Sequence, residues 1–109
     1  MNASTPGFDW ADRQEDALVL RVDCGLYSEE AIFRTCYVFT DRCYLFLQRE
    51  LPNHIVVRLR RKHSSTDLER MCGDFANELL NQRIRIDLAR ETHEIRRKIV
   101  AKAFEDTQP

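Results

Sequence analysis

Residues 44–60 read YLFLQRELPNHIVVRLR, and this stretch decides the fold. Apolar residues alternate in both halves, which is the period of a β-strand with one covered face. In the first half, Tyr44, Phe46 and Gln48 alternate with Leu45 and Leu47. In the second half, Ile55, Val57 and Leu59 alternate with Val56, Arg58 and Arg60. Pro52 and Asn53 mark a turn between the halves. The stretch predicts an antiparallel hairpin whose second strand is apolar on one face and increasingly cationic on the other.

The segment before the hairpin predicts a strand followed by a helix. Residues 17–23 alternate in the same way and form the first strand, which Gly25 ends. Ser28 and the two glutamates after it supply a cap oxygen and negative charge for a helix that should run to about Arg42. Its buried stripe is expected at Ile32, Cys36 and Phe39, with Phe33 and Tyr37 beside it.

The segment after the hairpin predicts helices. Thr66-Asp67-Leu68-Glu69 is a capping box in which the Thr66 hydroxyl is the expected cap. An apolar stripe follows at Leu68, Met71, Cys72, Phe75, Ala76, Leu79 and Leu80. Because helices average about 11–12 residues, we expect interruptions near Asn81 and at Thr92, with a last helix from about His93 to Phe104.

The predicted fold class is α+β, with a three-stranded, mostly antiparallel sheet in the order strand-helix-strand-strand-helix-helix and the helices packed on one face. Residues 1–16 are expected to be a mobile acidic leader, 17–105 a single domain and 106–109 a tail. Phe8 and Trp10 in the leader either dock on the domain or form a short partner-binding segment.

Composition limits the possible classes of protein. The chain has 109 residues, of which 43% are hydrophobic and 32% charged, as in a globular domain. No apolar run reaches the roughly 18 residues of a membrane span, and the first ten residues lack the pattern of a secretory signal, so we expect a cytoplasmic protein. The four cysteines, Cys24, Cys36, Cys43 and Cys72, are therefore expected to be reduced thiols.

Motifs for chemistry are few. Three isolated glycines exclude a phosphate-binding loop, and no cysteine or histidine spacing matches a metal site, so we expect neither a metal nor a cofactor. A cysteine nucleophile paired with His54, His63 or His93 stays open as a minor hypothesis. The basic run Arg58, Arg60, Arg61 and Lys62 suggests either a partner-binding face or, less favourably because no aromatic residue interleaves it, a nucleic-acid contact.

Several short stretches of the chain form a recognisable set of motifs. They are Leu26-Tyr27-Ser28-x-x-Ala31-Ile32, Tyr37-x-Phe39-Thr40-Asp41-Arg42, residues 77–92 beginning Asn-Glu-Leu-Leu-Asn-Gln, Glu94-Ile95-Arg96 and residues 101–104. Together they resemble the HxsD family of His-Xaa-Ser peptide-modification systems. The resemblance implies a bacterial accessory protein that acts beside radical SAM maturases and a precursor peptide with His-Xaa-Ser repeats. It implies no catalytic residue here, and the chain lacks the three-cysteine cluster motif of those enzymes.

Three hypotheses follow. The first is a non-catalytic adaptor that binds a precursor peptide, a radical SAM maturase, or both, through an open sheet edge. The expected partner-binding residues are Arg58, Arg60, Arg61, Asn77, Asn81 and Arg83. The alternative is a structural subunit that self-associates into a homo-oligomer through the apolar face from Leu79 to Ile99. An enzyme that uses a cysteine is the third.

Overall fold

The computed structural model describes residues 11–107, with side chains through Ala103, and it confirms an α+β chain with the helices on one face of the sheet. The elements are β1 (Ala11–Arg13), β2 (Ala17–Asp23), α1 (Glu29–Val38), β3 (Cys43–Glu50), β4 (His54–Arg61) and α2 (Leu68–Thr107). The strand order is β1-β2-β4-β3, and every neighbouring pair is antiparallel. Phe8 and Trp10 lie outside the described residues.

The expectation of three strands is wrong, because β1 adds a fourth. Ala11 pairs with Leu20 and Arg13 with Leu18, after a tight turn in which the Gln14 amide donates to the Ala17 carbonyl at 2.8 Å. Ala11 is buried. A strand of three residues with a single apolar side chain shows no alternation of apolar and polar residues. The sequence therefore shows no sign of a strand within the predicted leader.

β2 and β4 form the centre of the sheet, and β3 continues it as the predicted hairpin. On one face the apolar residues of both central strands are buried in a single core with residues of α1 and α2. These strand residues are Leu18, Leu20, Val22, Ile55, Val57 and Leu59. The strong alternation in both strands therefore records one covered and one open face.

The start of α1 is as predicted, and its end is not. The Ser28 hydroxyl accepts from the Ala31 amide at 3.1 Å, and the expected stripe of Ile32, Cys36 and Phe39 is buried. The helix ends at Val38 and not near Arg42. The Phe39 amide bonds to the Cys36 carbonyl at 3.0 Å, a tightened last turn that lets the chain reverse into β3.

The N-cap of α2 is Asp67, so the expected cap at Thr66 is wrong. The Asp67 carboxylate accepts from the amides of Glu69 at 3.0 Å and Arg70 at 3.3 Å. The Thr66 carbonyl instead accepts from the Arg61 guanidinium at 2.9 Å. A cap at Thr66 would require the helix to start at Asp67. The helix instead starts at Leu68, which makes Asp67 the cap.

The interruptions expected at Asn81 and Thr92, and the separate last helix, are also wrong: α2 is one helix of 40 residues. No glycine or proline follows Gly73 within it. Asn81 and Thr92 are both exposed to solvent, so their side chains do not interrupt the backbone hydrogen bonds of the helix. The helix extends well past the sheet, and the chain measures 72 Å along its longest axis. Among residues 11–107, no helix has the apolar length that crossing a membrane requires.

The core joins the sheet to both helices at Phe75. Its ring lies 5.2 Å from that of Phe39, centroid to centroid, and both side chains are buried. Truncating Phe75 should therefore lower the free energy of unfolding by about 3–5 kcal/mol. Leu80, half exposed on the same helix, should cost less than about 1 kcal/mol when changed to alanine. Urea unfolding of Phe75→Ala and Leu80→Ala measures both, and equal losses would contradict this core.

The two candidate caps of α2 give different results on substitution. Asp67→Ala removes the acceptor for two amides, so it should destabilise the protein by about 1 kcal/mol, whereas Thr66→Ala leaves both hydrogen bonds intact. Thermal unfolding by circular dichroism compares the two variants. A larger loss for Thr66→Ala would restore the capping box that the sequence predicts.

Candidate partner-binding surfaces

The open face of the sheet, away from the helices, carries arginine beside aromatic side chains. In the register of the strands, Arg58 of β4 lies opposite Phe46 of β3, and Arg60 lies opposite Tyr44. Val19 of β2 flanks Arg58 on its other side. The basic run contains no aromatic residue in sequence, but the neighbouring strand supplies two, and both are more than half exposed.

Arg58 and Arg60 differ from most other arginines of the sheet because neither side chain makes an ion pair or hydrogen bond within residues 11–107. Arg21 pairs with Glu50, and Arg49 pairs with Glu29. A shallow cleft of about 340 Å³ adjoins Arg58, lined by Val19, Phe46, Leu47, Gln48, Val56 and Arg58. This open face therefore combines positive charge with apolar surface.

β3 is an edge strand, with β4 on one side and no strand on the other in the described part of the chain. Side chains on both of its faces are exposed. Tyr44 and Phe46 point to the open face, and Leu47 on the helix side is also exposed. An edge strand that is apolar on both faces leaves backbone amides and carbonyls available beside apolar contacts.

α1 extends this surface on the helix side of β3. Glu29 at the start of α1 forms an exposed ion pair with Arg49 of β3, so this side of α1 faces the strand. Phe33 and Tyr37 follow Glu29 at steps of four, so they lie along the same side of α1. Both side chains are more than half exposed. We call the surface formed by Tyr44, Phe46, Leu47, Phe33 and Tyr37 the β3 edge.

The structure separates the six residues expected to bind a partner. Arg58 and Arg60 lie together on the open face. Arg61 lies apart, where it pairs with Asp16 at 2.9 Å and its side chain is only 19% exposed. The remaining three are exposed on α2, which covers the opposite face of the sheet: Asn77, Asn81 and Arg83. Arg83 lies 3.7 Å from Asp87.

Sequence reasoning missed Tyr44 and Phe46 as members of a candidate binding surface. Their signal was the uninterrupted apolar run 43–47, since a strand with one covered face needs apolar residues only at alternate positions. The pairing of Arg58 with Phe46 had a signal too, because both residues lie six positions from Pro52 at the predicted turn.

The thiols are placed for packing. All four cysteines are thiols and not disulfides, and Cys36, Cys43 and Cys72 are buried. Burial raises the pKa of the Cys36 thiol to about 12, and nearby Cys43 adds to this rise. Burial also raises the pKa of Cys43 to about 11, although Arg42 and Lys62 act in the opposite direction. A thiol that keeps its proton at neutral pH is a poor nucleophile. Within residues 11–107 no three His, Cys, Asp or Glu side chains cluster as metal ligands would.

These raised pKa values predict an alkaline loss of stability. Thiols of the unfolded chain ionise near pH 9 while folded Cys36 and Cys43 stay protonated, so the unfolded state loses protons first. Stability from this source is complete below about pH 8.5 and falls as the pH rises towards 11. Unfolding of the natural chain and of Cys36→Ala/Cys43→Ala should be compared across this range. Parallel curves would show that neither pKa is raised.

Comparison with family models finds a match over most of the chain. The model of a family described as the His-Xaa-Ser system protein HxsD matches residues 22–109. The match includes α1, β3, β4 and α2, and therefore both elements that form the β3 edge. No curated protein and no solved structure matches the chain significantly. Because the family model covers most of the sequence, as the resemblance of its short stretches predicted, this chain belongs to the HxsD family of His-Xaa-Ser system proteins.

Proposed function

We propose that this protein is a non-catalytic accessory protein of a His-Xaa-Ser peptide-modification system that binds the precursor peptide as an added strand along β3. The observation that carries the proposal is the β3 edge, an eight-residue strand with no neighbour on one side within residues 11–107 and exposed apolar side chains on both faces. Extended peptides bind such edges through main-chain hydrogen bonds, and flanking side chains select their sequence.

β3 is the better of the two sheet edges for this role. Residues 44–48 contain no charge and no proline, which are the usual devices that protect an edge from strand pairing. Arg49 and Glu50 are already occupied by ion pairs with Glu29 and Arg21. β1, at the other edge, has only three residues. A peptide on β3 has room for more main-chain hydrogen bonds.

The two faces of β3 would select different side chains. Successive residues of an added strand point to opposite faces. Those on the helix side meet Leu47, Phe33 and Tyr37, so they should be apolar. Those on the open face meet Tyr44 and Phe46. Arg58 and Arg60, whose side chains are unpaired within the described part of the chain, lie one strand further in. Acidic or aromatic side chains suit this position.

The proposal assigns no reaction to this chain. Three of its four thiols are buried, and the two with raised pKa values hold their protons at neutral pH. Selective binding of a peptide for another enzyme requires only the surface described above. A radical SAM maturase is the enzyme that the family resemblance implies.

Amide hydrogen exchange tests strand addition directly. Overlapping synthetic segments of the precursor encoded with this protein should be screened by fluorescence anisotropy. The segment that binds should then protect alternate amides of residues 43–50 from exchange, because an added strand bonds the amides that point away from β4. If the segment that binds leaves the β3 amides unprotected, the strand-addition mechanism is overturned. If no segment binds, peptide recognition is overturned.

Matched variants locate the site. Phe46→Glu places a charge at the centre of the β3 edge and should weaken peptide binding by at least about tenfold. Leu51→Glu makes the same change at an exposed leucine in the hairpin turn and should change binding less than about twofold. Similar losses in both variants would place the site elsewhere.

Single-stranded nucleic acid is the second ligand that the open face suits, since arginine beside exposed aromatic rings is the chemistry of base stacking. A labelled mixed-sequence oligonucleotide distinguishes this possibility in the same assay. We expect no saturable binding at physiological salt. Tight, salt-dependent binding that Phe46→Glu abolishes would favour nucleic acid over peptide.

A further inference from the structure

α2 carries two apolar stripes on opposite sides. One faces the sheet and α1, and includes the buried residues Leu79 and Ile86. The other begins at Leu80 and continues through Ile84 and Leu88, all of them about half exposed. At about 100° per residue, Leu88 is turned by about 180° from Leu79. The second stripe therefore points away from the protein's own core.

This outward stripe continues along the projecting half of α2. Ile95 follows Ile84 by eleven residues, and Ile99 follows Leu88 by the same step. Eleven residues make almost a whole number of helical turns, so the four side chains stay on one side over the full length. All of them are exposed. We define the outward stripe as Leu80, Ile84, Leu88, Ile95 and Ile99.

The spacing of the outward stripe is symmetric. Ile84 and Ile99 are equally far from the point between residues 91 and 92, and so are Leu88 and Ile95. Two copies of α2 related by a two-fold axis through this point would run antiparallel and meet through the same surface on each copy. Each isoleucine or leucine of this group would then lie opposite an apolar side chain of the second copy. Leu80 would lie opposite Ala103.

We propose that the protein forms a homodimer through the outward stripe, with the two α2 helices antiparallel. This inference uses a different surface from the β3 edge and does not depend on the proposed peptide binding. The sheet and α1 lie on the other side of α2 from the stripe, so they do not obstruct the approach of the second helix. The antiparallel arrangement also places the two sheets at opposite ends of the dimer.

The contact is small, so the dimer should be weak and should depend on the protein concentration. From Leu80 to Ala103 the helices would touch over about 35 Å, and helices are about 10 Å wide. Such a contact buries roughly 350 Å² on each helix and about 700 Å² in total, below the roughly 1,000 Å² at which stable specific interfaces begin. Monomer and dimer should therefore exchange within an accessible concentration range.

Sedimentation velocity tests the dimer and its surface. The natural chain should shift from monomer to dimer between about 1 µM and 1 mM. Leu88→Gln/Ile95→Gln should remain monomeric throughout, because it removes two central contacts and keeps good helix formers. Arg90→Gln/Arg97→Gln makes two changes on the opposite side of α2 and should dimerise normally. A natural chain that stays monomeric, or a dimer that survives in Leu88→Gln/Ile95→Gln, would overturn the proposal.

Cysteine cross-linking tests the orientation. A mixture of Ile84→Cys and Ile99→Cys chains should form an intermolecular disulfide between the two introduced cysteines, identified by peptide mass spectrometry. Ile99→Cys alone should not link to itself, since its two copies lie at opposite ends of the contact. Efficient self-linking of Ile99→Cys, with none in the mixture between positions 84 and 99, would show parallel helices and overturn the antiparallel dimer.

Discussion

The contact between one face of the sheet and the first half of α2 is the constraint on which the rest of the structure depends. Leu20 and Val57 from the sheet, Phe39 after α1 and Phe75 from α2 share one buried cluster. Burying this apolar surface is the main favourable contribution to the stability of so small a domain. Because both helices are used on this face, nothing in residues 11–107 covers the other face of the sheet.

That asymmetry places every candidate interaction surface. Among residues 11–107, the side chains of Arg58 and Arg60 on the open face have no partner, and β3 has no neighbouring strand on its outer side. α2 is held by its first half only, so its second half projects with the outward stripe exposed. A 40-residue helix and a four-stranded sheet can share only a short length of contact. The surfaces left over are large, apolar in part and well separated, which suits a protein that holds more than one partner.

The sequence predicts the parts of this fold that have a period and a local start signal. β2, the hairpin, the Ser28 cap and the buried stripe of α1 follow from alternation, helical spacing and capping chemistry. β1 could not be predicted, because its three residues contribute only Ala11 to the core and gain their stability from pairing with β2. The unbroken length of α2 was missed because the interruptions were inferred from the average length of helices. The absence of glycine and proline after Gly73 would have predicted one continuous helix. For the candidate site, Arg58 and Arg60 were predicted from clustered charge, whereas their positions opposite Phe46 and Tyr44 required the register of two strands.

The central claim is that this protein acts by binding an extended peptide along β3. Intermolecular backbone contacts, measured by nuclear Overhauser effects between the isotopically labelled protein and an unlabelled precursor segment, test it most directly. The account predicts a ladder of contacts from the peptide backbone to alternate residues of Tyr44–Gln48, with the β3–β4 pairing unchanged. Contacts confined to α2 or to β1, with the β3 amides unperturbed by saturating peptide, would contradict it.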